Sequence, residues 1–280
     1  MVAGTGNHRK GTLVKIGWLH DDLGIVGGAE LSERTLRAGA PEWADIVLCP
    51  PNKRPPEDIE AFIIQNCTAY PVKWIEVLEK VPVIKQNRDA WWSGSIVLRR
   101  WLLDNAKLLL FSSQMQADNY EHWYENEYAV VPPPVNLDMF REAALPDDKR
   151  QGTIWVGRTD PGKGLHTALD WAWREQEPID IYGDLSIRYI NFAELGGLAR
   201  FHGRAPYESL PAIYGAAKRY VFFPTHKEPF GRTVAEAWAS GCELLVDGFI
   251  GALEWIEKRP DDIGRGVEMF WNEVEGELKP

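Results

Sequence analysis

Residues 132 to 134 are three consecutive prolines inside the stretch YAVVPPPVNLDMF (residues 128 to 140). No helix interior or central strand accommodates such a run, because each proline lacks an N–H and its ring crowds the preceding turn. The polar, turn-rich REAALPDDKRQG follows, so the chain is expected to divide here, with a first unit over residues 1–145. Ahead of the break, TLVKIGWL (12 to 19) is a short apolar run that ends in the turn-prone DDLGIVGGAE, and LSERTLRAGA then has helical character. A strand, a glycine loop and a helix in that order open a βαβ unit. Further apolar runs at DIVLCP, AFIIQN, VPVIKQ and KLLLFSS read as strands, the last leading into a helix at QMQADNYEHWYE.

After the prolines the pattern restarts. GTIWVG, IDIYGD, ARFHGR, RYVFFP and CELLVDG read as strands, while LHTALDWAWREQ, SLPAIYGAAK and GRTVAEAWASG, the last capped by Gly241, read as helices. Strands alternating with helices imply a mostly parallel sheet in each half. The expected division is residues 1–145, 146–262 and a tail 263–280. In that tail Val267, Met269, Phe270 and Val274 recur close to helical spacing, so it should be a helix docked on the body of the protein.

Composition narrows the partners. A formal net charge of -10 argues against a surface built mainly to neutralise nucleic acid or anionic lipid, and leaves small anionic ligands open. Cys49, Cys67 and Cys242 lack CxxC spacing, so neither a disulfide framework nor a zinc site is suggested. The first twenty residues contain no apolar core of signal-peptide length and no run approaches membrane-spanning length, so a cytoplasmic protein without stable membrane insertion is expected. Thirteen tryptophans serve either as bulky core filling or as faces for stacking sugars.

The most informative stretch is THKEPFGRTVAEAWASG, residues 225 to 241. RYVFFP should end at the carboxyl edge of a parallel strand, where open α/β sheets place their ligand crevices. The loop after it then lies in that crevice and leads into a helix whose free N–H groups and partial positive charge attract a phosphate. Glu228 precedes the helix and Glu236 lies within it, so the loop can fold both carboxylates toward one cleft. Each carboxylate can accept from two adjacent hydroxyls, which suits a vicinal diol. Taken singly, Glu228 could be a helix-favouring charge and Glu236 a solvated one. The apolar neighbours Val234, Ala235, Ala237 and Ala239 argue instead that Glu236 has a partner.

EPFGRTVAEAWASG resembles the E-x7-E signature of the family 4 retaining glycosyltransferases. GRTDPGKG (157 to 164) is similar to the family's GR-x-x-x-x-KG, VVPPPVNLDMF to its linker, FHGRAPYESLPAIYGAA to the segment before the signature, and GFIGALEWI to the glycine-rich turn and glutamate, here Glu254, that close the site. These matches cover most of the second half; the first half matches through its GGAE loop and its element order. The resemblance implies an α/β GT-B fold: two Rossmann-like domains with parallel sheets facing across a cleft, the first on the acceptor side and the second on the donor side. It implies no required cofactor and a nucleoside diphosphate sugar as donor, UDP- or GDP-linked. Arg158 and Lys163 match the pair that clamps the diphosphate, and fixed cations there stabilise a departing nucleoside diphosphate without a metal. Glu236 matches the position that binds the ribose hydroxyls, and Glu228 the one that contacts the transferred sugar. Gly27 and Gly28 would bring backbone amides to the phosphates. Tyr182 and Gly183 stand where the family frames the nucleobase, and Phe230, Gly231 and Arg232 belong to the donor-binding turn.

The chain departs from the family pattern at Asn87, Arg88 and Asp89, where a histidine is common, and at Pro133, Pro134 and Val135, where the family prefers Asn-Gly-Val. The activity implied is retaining, metal-independent sugar transfer to an acceptor hydroxyl. Its rivals are a donor-hydrolysing or epimerising enzyme, for which His20, His202 and His226 are the histidines to place, and an idle nucleotide- or carbohydrate-binding protein. The acceptor remains open among saccharide, lipid, protein and nucleic acid base; WIEVLEKV and DAWWSGSIVLRRWLL read either as stacking surfaces or as core helices.

Overall fold

The computed structural model describes residues 13–21, 27–65, 68–87, 94–184 and 196–279. In the first half β1 (Val14–Leu19), α1 (Gly28–Ala38), β2 (Ala44–Leu48), β3 (Ala61–Ile64), α2 (Ile75–Leu78), β4 (Val83–Gln86), α3 (Ile96–Asn105), β5 (Leu108–Phe111), α4 (Gln114–Tyr120) and β6 (Tyr128–Val130) follow in order. After the prolines come α5 (Leu137–Glu142), β7 (Thr153–Val156), α6 (Leu165–Glu175), β8 (Ile179–Tyr182), β9 (Ala199–Gly203), α7 (Leu210–Ala216) and β10 (Arg219–Phe222). The chain closes with α8 (Arg232–Ala239), β11 (Glu243–Val246), α9 (Gly251–Lys258) and α10 (Gly266–Leu278).

The strands form two sheets, ordered β2-β1-β3-β4-β5-β6 and β11-β10-β7-β8-β9. Every pairing is parallel. The inner strands explain why: β3, β4, β5 and β7 are buried at every residue, as strands covered by helices on both faces must be. The first sheet carries one core of Leu19, Phe62, Ile64, Leu102 and Leu109 and, on its opposite face, one of Ile16, Trp18, Ile63, Ile84 and Leu110. Helix α10 completes the latter with Phe270, Trp271 and Val274, and the Trp271 Nε1–H donates to the Leu36 carbonyl of α1 at 2.9 Å. The tail therefore docks on the first sheet after the second has been built.

Two elements fall inside the stretch read as a linker. Tyr128–Val130 extends the first sheet as its edge strand, with Leu109 opposite Tyr128. Three residues are too few for an alternation to show, and an edge strand can run directly into prolines. Past the prolines, the Asn136 side chain accepts from the Met139 N–H at 3.2 Å and starts α5, whose Leu137 and Phe140 join the core of the second sheet. The crossing between sheets is thus confined to the proline segment, ahead of the division expected at residue 145.

Tryptophans fill cores here. Trp18, Trp74, Trp155, Trp255 and Trp271 are buried, and Trp101 packs on the first core. Trp91 and Trp92 lie outside the described residues. Among the described residues no helix is long and apolar enough to cross a membrane.

Candidate functional site

A cleft of about 770 Å³ opens between the carboxyl ends of the two sheets. The first sheet contributes Asp21 after β1, Thr68 after β3, Ser112 after β5 and the start of α1; the second contributes Gly157, Arg158, Gly162 and Lys163 after β7 and His226 to Thr233 after β10. Gly27, Gly28, Arg158, Lys163, Glu228, Phe230, Gly231 and Arg232 all line it, so residues from both halves of the chain meet across one space. No tryptophan lines it among the described residues.

The loop carrying Glu228 is held at both ends. Its backbone N–H donates to the Phe249 carbonyl at 2.8 Å, its carbonyl accepts from the Gly251 N–H at 3.0 Å, and the Pro229 carbonyl accepts from the Ser113 Oγ of the first domain at 2.7 Å. Gly231 then adopts φ +84°, and α8 begins with no side chain capping its first turn. That turn faces the cleft with backbone N–H groups that no side chain caps. The Lys163 Nζ lies 2.5 Å from Glu228 Oε2, with both side chains mostly buried. Arg158 reaches into the open with 65% of its side chain exposed and Asp160 3.4 Å away. The lysine is therefore paired with a carboxylate of the neighbouring loop, and the arginine with one of its own loop.

Arg232 does more than line the wall. Its Nη1 donates to Ser32 Oγ at 3.0 Å and to the Pro134 carbonyl at 2.5 Å, both outside its own sheet. Its Nη2 donates to the Tyr207 hydroxyl at 3.1 Å and to Glu236 Oε1 at 3.4 Å. Gly28 makes room for this bridge: a Cβ there would stand 2.9 Å from Arg232 Cδ. A side chain at residue 28 would therefore press on the arginine that crosses the cleft.

Glu236, Tyr182 and Gly183 do not line the cleft. Glu236 is 2% exposed, one helical turn behind Arg232, and the Tyr207 hydroxyl lies 3.4 Å from its Oε1. Burial pushes its carboxyl up to about 7 against the pull of Arg232. Its expected partner exists, and it is the arginine four residues earlier. Tyr182 stacks on His202 with ring centroids 4.7 Å apart, and His202 Nε2 lies 2.6 Å from Asp180 Oδ1, on the far strands β8 and β9. Gly183 is held by a close approach, since a Cβ there would collide with the Gly157 carbonyl oxygen at 1.9 Å.

Of the three histidines singled out, His226 lines the cleft, whereas His20 faces Glu33 and His202 faces Asp180. Asn87 is 3% exposed, and among the described residues neither of its side-chain polar atoms has a hydrogen-bond partner; Arg88 and Asp89 lie outside the described residues. Glu254, expected to close the site, instead caps α4. The Gln114 N–H donates to its Oε2 at 2.9 Å and the Met115 N–H to its Oε1 at 3.0 Å. That carboxylate ties the domains together at a helix N-terminus, where negative charge is favoured. Tyr207 and Ser32 were not anticipated; the R-x-x-x-E spacing of Arg232 and Glu236 is the one sequence signal that leads to them.

No family model matches the sequence, and no curated protein matches it either. The fold, however, has clear counterparts among solved structures. HepE of Anabaena, determined with UDP and glucose, superposes with a TM-score of 0.65 at 15% identity over 95% of this chain and 92% of that one. Sucrose-phosphate synthase of Thermosynechococcus elongatus gives 0.66 at 14% identity, covering 93% and 90%. A glycosyltransferase of Rickettsia africae gives 0.62 at 14% identity, covering 95% and 90%. The chain thus has the GT-B architecture: two Rossmann-like domains with parallel sheets facing across a cleft, and a C-terminal helix that docks back.

Proposed function

We propose that the protein is a glycosyltransferase that moves a sugar from a nucleoside diphosphate sugar to an acceptor hydroxyl. The observation that carries this reading is the meeting of Arg158, Lys163, Glu228 and the uncapped start of α8 in one interdomain cleft. One neighbour of the same fold, HepE, was solved with UDP or UDP-glucose and another, a starch synthase, with ADP, which supports a nucleoside diphosphate sugar as donor, UDP- or GDP-linked. The diphosphate would draw Lys163 from Glu228 and take Arg158 and the first amides of α8, because a phosphate accepts charge-assisted hydrogen bonds from both. Glu228, released, would accept from the sugar hydroxyls.

The transfer step balances without a protein nucleophile. The anomeric carbon–oxygen bond to the diphosphate breaks as the acceptor oxygen bonds to the same carbon on the same face, giving retention, and the acceptor proton passes to the departing phosphate oxygen. Charge building on that phosphate is stabilised by fixed cations and helix amides, so the step needs no metal. Glu236 supports the donor wall by holding Arg232, a part different from direct ribose binding.

The test is turnover of UDP-glucose and GDP-linked sugars with a panel of acceptors, read by nucleotide release and product mass. Glu228→Gln should abolish transfer and spare nucleotide affinity. Rapid UDP release without any acceptor would favour donor hydrolysis with His226 placed at the cleft, and neither release nor transfer from any donor would leave a binding protein.

A further inference from the structure

The first domain carries a second concavity, separate from the donor cleft. A groove of about 280 Å³ lies between the loop after β2 and the turn leading into α2, and Lys53, Arg54, Lys73 and Lys80 line it. A neighbouring hollow of about 210 Å³ shares Arg54 and Lys80 with it. In a chain of net charge -10, four cations around one groove are a local reversal of sign. One acid, Glu76, lines the same groove. Lys53, Lys73 and Lys80 are exposed and make no ion pair among the described residues. Arg54 faces Glu57 at 3.7 Å with both side chains largely in solvent, where such a pair holds little energy. Converging like charges raise the local potential and favour an anion between them.

The groove is built and it adjoins the cleft. Its floor is Trp74, 3% exposed, whose Nε1–H donates to the Pro51 carbonyl at 3.2 Å. The Trp74 ring meets Tyr70 edge-on at 5.1 Å, and the Tyr70 hydroxyl accepts from the His20 N–H at 3.2 Å and donates to the Cys49 carbonyl. Next in the chain, Asp21 accepts from the Thr68 N–H at 2.7 Å, and both residues line the cleft. A continuous set of packed loops thus joins groove and cleft along the carboxyl edge of one sheet. Thr68 on the cleft and Lys73 on the groove are five residues apart in the chain, at most about 18 Å even if fully extended, a span that a saccharide of several rings covers.

We infer that this groove holds the anionic part of the acceptor, a saccharide bearing phosphate or carboxylate groups, while the attacking hydroxyl reaches the cleft. The word acceptor rests on the glycosyl-transfer reading; the anion site rests on the groove alone. Lysine ammonium groups and the arginine fork are suited to phosphoryl and carboxylate oxygens, and their exposure makes the attraction sensitive to salt.

Isothermal titration of the full chain with a hexose 6-phosphate and with the parent hexose tests it. The phosphorylated sugar should bind about tenfold more tightly at low ionic strength and lose most of that advantage once the screening length falls to about 8 Å. The double variant Lys73→Glu/Lys80→Glu should abolish the preference, and Lys53→Glu/Arg54→Glu, on the opposite wall, should do the same. Equal binding of the two sugars, or a preference that survives both double variants, overturns the proposal. The rise in melting temperature caused by UDP, measured on the same proteins, reads the donor cleft and should be equal in all of them. An absent UDP effect beside an intact anion preference would sink the donor reading and leave the groove standing.

Discussion

At the scale of single residues, Arg232 is the side chain on which most of the site depends. It holds Ser32 and Pro134 on one side and Tyr207 and Glu236 on the other. Glu236, buried behind it, has its carboxyl raised to about 7. The folded protein therefore binds this proton more tightly than the unfolded chain does. The associated stability is present in full below the unfolded value near 4.5 and is lost as pH rises through about 7. A shift of that size corresponds to about 3 kcal/mol. Thermal melts of wild type and Glu236→Gln at pH 5 and pH 8 should show the wild type losing ground to the variant at the higher pH; parallel curves would contradict the burial of an ionisable group here. Arg232→Ala should destabilise by ~3 kcal/mol at pH 8, where it strands a buried carboxylate, and by less at pH 5. The need of Glu236 for a partner was legible from its apolar helical neighbours, and Arg232 could be read four residues away. Tyr207 was not, because it comes from a turn before α7 and reaches the pair through packing that no local spacing encodes.

At the scale of elements, the junction of α9 and α4 sets how the domains meet. Glu254 accepts from two amides at the start of α4, the Trp255 Nε1–H donates to the Ser112 carbonyl at 2.8 Å, and Lys227 Nζ lies 3.0 Å from Asn119 Oδ1. Glu254→Ala should remove about 1 kcal/mol of capping energy. Hydrogen exchange should then show the Gln114 and Met115 amides losing protection while those of β3 keep theirs; unchanged protection at α4 would mean that the cap carries no weight. Buried four-residue strands such as AFII and LLLF announced themselves as apolar runs, and GRTVAEAWASG as a helix closed by its glycine. The edge strand at Tyr128–Val130 and the short helix at Leu137–Glu142 did not, since each is too brief for its period to repeat. The asparagine cap at residue 136 was the available clue.

For the whole molecule, two parallel sheets are joined by a proline crossing and by a helix that returns to the first sheet. Trp271 contacts Trp18 and Trp43 at ring-centroid distances of 6.2 and 5.8 Å. Trp271→Ala should cost ~3–5 kcal/mol through the cavity it leaves, seen as a lower denaturant midpoint that affects both domains if they unfold together. The tandem α/β plan was readable because strand and helix signals alternate twice around the prolines. The domain-spanning contacts of Arg232 and Glu254 were not, because they depend on how two separately patterned halves face each other. What occupies the space between those halves decides the function. The most direct measurement is a crystal structure of the protein grown with saturating UDP-glucose. The expected result is diphosphate density in the cleft within hydrogen-bond reach of Arg158, Lys163 and the first amides of α8, with Lys163 drawn off Glu228. Nucleotide density elsewhere, or an empty cleft with the Lys163–Glu228 pair intact, would contradict it.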